Sequence, residues 1–100
     1  MFIVHVDFDV APQDRPHALA VLRMEVEDVR ALPGCRSFAP YPDPANPSRI
    51  SIVHEWETTE AFAAYAASEA FARSGEELRP LMTAPPSSRR FDATLIEDRA

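Results

Sequence analysis

The 100-residue sequence contains no lysine; all ten of its basic side chains are arginines. Schiff-base chemistry on a lysine amine is therefore excluded. Its single cysteine, Cys35, excludes an intramolecular disulfide and a cysteine-rich zinc site. Two glycines are too few for a phosphate-cradling loop of either the dinucleotide-binding or the P-loop kind. Carboxylates outnumber the arginines, and the formal net charge of −6 argues against a general binder of nucleic acid or anionic membranes. No apolar run is long enough to cross a membrane, and the alternating start MFIVHVDFDV lacks the basic region and apolar stretch of a signal peptide. A soluble, cytoplasmic protein is expected.

What is present fits one small domain over residues 1–100, with 46% hydrophobic residues. A core of this size leaves room for a partner subunit to contribute to stability. Residues 2–10 alternate, with Phe2, Val4, Val6, Phe8 and Val10 on one face, as in a half-buried strand. From about Asp14 to Leu32, Leu19, Leu22, Val26 and Val29 recur at helical spacing, and Pro33-Gly34 ends the helix. Cys35 to Tyr41 reads as a second strand, placed at a sheet edge by Pro40. The loop YPDPANP leads to a third strand, Arg49 to Glu57. Thr58 is placed to cap the following helix, with Glu60 in its first turn. Ser68 can recap that helix, and Ser74-Gly75-Glu76-Glu77 has the pattern of a capping box that restarts it. A last strand is expected from Arg89 to Ile96, with Phe91, Ala93 and Leu95 on one face. The order β-α-β-β-α-β is the ferredoxin-like α+β plan, a four-stranded antiparallel sheet with helices on one face.

Several stretches together resemble a known family. They are Pro33-Gly34-Cys35, the Pro loop, HEWETTEAFAAYAASEAF at His54–Phe71, and LRPLM at Leu78–Met82. The most specific element is the spine Glu55-Trp56, Ala61-Phe62, Tyr65, Ser68, Phe71. This is similar to the antibiotic-biosynthesis-monooxygenase family of dimeric α+β barrels. The resemblance implies a homodimer with sheets packed face to face and a ligand pocket inside each protomer, between sheet and helices. Relatives include cofactor-independent oxygenases of anthrones and quinols, haem-degrading enzymes and a sugar-phosphate isomerase. Anthrone oxygenases resemble this chain at Trp56, a pocket residue, but carry Asn and Tyr where it has Ile52 and Phe62. Haem degraders carry an axial histidine where it has Gly75, and many quinol oxidisers carry His where Tyr65 stands.

With such a pocket, the face of Ile50, Ile52, His54 and Trp56 would meet Phe62, Tyr65, Phe71, Val4, Val6 and Phe8. Substrate contacts are expected from Trp56, Phe62, Phe71, Ile52, Val6 and Phe8, because aromatic and apolar walls suit a flat aromatic, phenolic or quinoid molecule. His54 is the best candidate base, since its ordinary pKa lies nearest neutrality. Tyr65 can donate to a developing oxyanion. The expected activity is a cofactor-independent monooxygenase that takes dioxygen and an aromatic substrate, with no cofactor and no metal. The alternatives are a non-catalytic ligand-binding or stress-linked protein of the same fold, and an isomerase or cyclase on the same scaffold. A purely structural reading makes His54 a core or rim residue bonded to backbone, and Trp56 and Phe62 are core residues under either reading. His5, Asp7 and Asp9 share a strand face, but alternate residues of a straight strand lie too far apart for one metal. A polar face at a dimer interface, answered by Arg90, is the expectation there.

Overall fold

The alternation of the first strand is realised in a computed structural model covering residues 1–100. The chain forms β1 (Phe2–Asp9), α1 (Arg15–Arg30), β2 (Cys35–Pro42), β3 (Arg49–Trp56), α2 (Thr59–Ala66), α3 (Glu69–Leu78) and β4 (Ser87–Asp92). Short 3-10 turns occupy Pro12–Asp14 and Arg79–Leu81. The strands make one antiparallel sheet in the order β2-β3-β1-β4. This is the ferredoxin-like α+β fold, with the second helical region in two pieces. The strand containing Pro40 lies at an edge, where a missing N–H breaks no ladder.

The core forms between one sheet face and the helices. Phe8, Phe38, Ile50 and Trp56 from the sheet cluster with Ala18, Leu19, Leu22 and Val29 of α1, all buried. The turn after α1 requires Gly34. Its φ is +80°, and a Cβ there would stand 2.6 Å from the Cβ of Ala61. The Gly34 carbonyl also accepts from Glu57 N–H at 2.8 Å, which ties this turn to the start of α2. The other end of the sheet is fixed by Arg15, whose Nη1 donates to the Asn46 carbonyl at 2.8 Å and so clamps the Pro loop.

Ser68 separates α2 from α3. Its Oγ accepts from Phe71 N–H and donates to the Tyr65 carbonyl, satisfying groups on both sides of the break. The restart expected at Ser74 does not occur: α3 passes through Ser74 unbroken, and its Oγ bonds back to the Phe71 carbonyl. The last strand also differs from expectation, spanning Ser87–Asp92 instead of Arg89 to Ile96. Its ladder partner decides this. Asp92 pairs with Phe2 at the start of β1, so Ala93 to Ile96 have no strand beside them, while Ser87 and Ser88 do.

Register also corrects the placement of Arg90. It lies opposite Val4, on the helix-facing side, while Arg89 lies opposite His5 on the other. Arg90 therefore does not answer His5, Asp7 and Asp9. Asp9 is bonded by Arg49 at 2.9 Å and Asp7 accepts from the Ser51 hydroxyl at 2.6 Å, so each carboxylate has a partner of its own.

Candidate functional site

β3 contributes Ile52 and His54 to the helix-facing side, opposite Val6 and Val4 of β1. The same register sets Phe38 of β2 opposite His54. α2 lays Phe62 and Tyr65 over them at a spacing of three, and α3 adds Phe71. Sheet and helices leave a cavity of about 290 Å³ between them. Val6, Phe8, Ile52, His54, Phe62, Tyr65 and Phe71 all line it, as the sequence suggested.

Trp56 does not. It is fully buried and sits behind His54, outside the cavity wall. Its indole Nε1 donates to His54 Nδ1 at 2.8 Å, and its ring stacks on Tyr65 at 5.3 Å between centroids. The tryptophan is thus a support for the two polar residues of the wall. Because an indole N–H can only donate, Nδ1 must carry a lone pair, and the proton of the neutral imidazole resides on Nε2. Burial lowers the His54 pKa to about 4, with the charges of His5 and Arg90 adding to the effect. At neutral pH His54 is an uncharged donor at the edge of an apolar cavity. Burial likewise raises the Tyr65 phenol above its ordinary value, with Glu25 and Cys35 contributing, so Tyr65 keeps its proton and is a second donor.

Sequence reasoning missed Arg79 and set Arg90 against the outer polar face. Arg79 and Arg90 both line the cavity, and the Arg90 guanidinium lies 5.0 Å from the centre of the Phe62 ring. Ser88, next on the same side of β4, lines it too. The usable signal was strand parity: counting pairs from Val4 and Val6 puts Arg90 and Ser88 inside. Leu22, Phe38, Ala66, Leu78, Met82 and Pro86 complete the apolar lining. No carboxylate is among the lining residues.

The family model described as antibiotic biosynthesis monooxygenase matches residues 1–76. The chain belongs to that family. No curated protein matches the sequence at a significant level. Among solved structures, an antibiotic biosynthesis monooxygenase is similar at 22% identity with a TM-score of 0.86, over 95% of this chain and 100% of that one. A Nitrosomonas europaea protein described in the same family terms superposes with a TM-score of 0.90 at 17% identity, over 95% of this chain and all of its own. A Deinococcus radiodurans counterpart gives 0.89 at 18% identity, over 100% and 99% of the two chains. These likenesses establish the fold. As a member of the antibiotic biosynthesis monooxygenase family, the protein carries Ile52 and Phe62 as apolar cavity wall. At Gly75 it offers a helix position with no side chain to ligate haem iron. No helix is long and apolar enough to cross a membrane.

Proposed function

We propose that the protein is a cofactor-independent monooxygenase that oxidises an aromatic, phenolic or quinoid small molecule with dioxygen, working as a cytoplasmic homodimer. The observation that carries this reading is the buried, neutral His54, fixed by Trp56 and open to a cavity walled by Phe38, Phe62, Tyr65 and Phe71. The aromatic walls suit a flat ring system. The substrate supplies the electrons. At an activated ring methylene, loss of one proton gives a delocalised oxyanion, which passes an electron to oxygen. The two radicals combine to a peroxide on carbon, and loss of water leaves a carbonyl. Both methylene hydrogens end in water, one oxygen atom stays on the product, and no external reductant is consumed.

In this scheme the protein stabilises the oxyanion. His54 Nε2–H and the Tyr65 hydroxyl are the donors, acting where water is excluded and such bonds are strongest. His54 enters as a donor where the sequence suggested a base, because Nδ1 already accepts from Trp56. The substrate proton leaves through solvent at the cavity mouth. The experiment is oxygen uptake by metal-free protein against anthrones, hydroquinones and catechols, corrected for autoxidation. Uptake is expected with at least one class, reduced about a hundredfold or more in His54→Ala, as for loss of one oxyanion donor. Undiminished uptake in that variant, or none across the panel, would overturn the proposal.

A further inference from the structure

The charged side chains that line the cavity are all of one sign, opposite to the protein's net charge. The chain carries a formal charge of −6, yet the charged side chains lining the cavity are two arginines and no carboxylate. Neither arginine is spent on an ion pair; the chain's salt bridges are Arg49 with Asp9 and Arg99 with Glu97.

Both guanidiniums are seated against the walls. Arg90 lies over the Phe62 ring, and its Nε donates to Ser88 at 3.5 Å, leaving its terminal nitrogens uncommitted. Arg79 folds back over α3 at Gly75. A Cβ at that glycine would meet, as its three nearest atoms, only guanidinium atoms of Arg79, at 3.1–3.4 Å. Glycine is a poor residue for a helix interior, and here it makes the room in which the Arg79 head group rests.

Resting on the reading of the cavity as an aromatic site, we infer that its substrate is an aromatic acid. The ring occupies the apolar interior beside His54 and Tyr65, and a carboxylate at the mouth is held by Arg79 and Arg90. A planar carboxylate matches the fork of a guanidinium, which favours it over a neutral oxygen group. The two arginines are exposed at the mouth, so the charged end of the ligand stays hydrated while the ring is desolvated. Orientation follows from that polarity: the reacting part of the ring lies inward, toward the two donors.

The test separates this inference from the reading beneath it. The intact protein is titrated calorimetrically with 1-hydroxy-2-naphthoate and with the uncharged 1-hydroxy-2-naphthamide near pH 7, where the acid is ionised. The acid is expected to bind about tenfold more tightly, the size of one charge-assisted contact. The advantage should shrink as salt is added, because exposed charges are screened. Arg79→Gln and Arg90→Gln should each narrow the gap, and the double variant should close it. Equal binding of acid and amide to the native protein, or a gap that survives in the double variant, would overturn the aromatic-acid inference and leave the aromatic cavity standing. Failure of both compounds to bind would overturn the cavity reading as well.

Discussion

On the helix-facing side of the sheet, Val4, Ile50 and Trp56 are fully buried and His54 is 3% exposed. On the far side of the same strands, Asp7 accepts from Ser51, Asp9 pairs with Arg49, and His5 meets Phe91 edge-on at 5.3 Å. Two histidines one position apart in register parity thus live in opposite environments. The outer face tolerates charge because it is not sealed from water, and Asp7 and Asp9 each have a partner there. In the buried part of the inner face the polar group is kept neutral and hydrogen-bonded, as His54 is, while the charged Arg90 stays exposed at its edge. The proposed reaction uses the inner face for that reason: a donor held in apolar surroundings interacts more strongly with a developing charge than one in water.

The largest effect expected from this contrast is at Trp56. Trp56→Ala opens a cavity in the core and deprives His54 of its partner, and should cost about 3–5 kcal/mol in urea unfolding. A cost below about 1 kcal/mol would mean that the inner face is far less tightly packed than its burial indicates.

Acid comes next. The folded-state pKa of His54 is lowered to about 4 from an ordinary 6.5, so between those values the unfolded chain binds a proton that the folded chain refuses. Its contribution to stability is fully present above pH 6.5 and is lost as pH falls toward 4, amounting to about 3 kcal/mol. Denaturant titrations of the native protein and His54→Gln across this window should diverge, with the variant flatter. Parallel curves would place His54 in a wetter setting.

The smallest effect belongs to the outer face. Ser51→Ala removes the 2.6 Å bond to Asp7 and should cost about 1 kcal/mol, since water can replace the hydroxyl at a partly exposed carboxylate. A loss as large as that of Trp56→Ala would erase the distinction between the faces.

Much of this arrangement was legible in the sequence, because two periodicities carried it. Alternation fixed which residues of the first and third strands face the helices, and the three-and-four spacing of Leu19, Leu22, Val26 and Val29 fixed the face of α1. Val6, Phe8, Ile52 and His54 share a strand face by alternation, while Phe62, Tyr65 and Phe71 were expected at the cavity from the family resemblance. What was hidden depended on partners. The extent of β4 is set by where β1 begins, not by the hydrophobicity of its own residues, so polar Ser87 and Ser88 joined the sheet and apolar Leu95 and Ile96 did not. Arg90 changed sides for the same reason. The place of Trp56 behind His54 was hidden as well: two neighbours on one strand face show no sign in sequence of bonding to each other.

That bond has an optical consequence. Trp56 is the only tryptophan, and its indole shares a hydrogen bond with His54, the titratable side chain proposed to meet the ligand. Its emission is therefore a reporter wired into the cavity from behind, outside the space a ligand fills. When His54 gains a proton at Nδ1, the indole loses its acceptor and its spectrum must change. A ligand that engages Nε2 alters the same imidazole from the opposite edge. Occupancy and protonation of the site can thus be read in solution from light emitted by a residue outside the cavity lining.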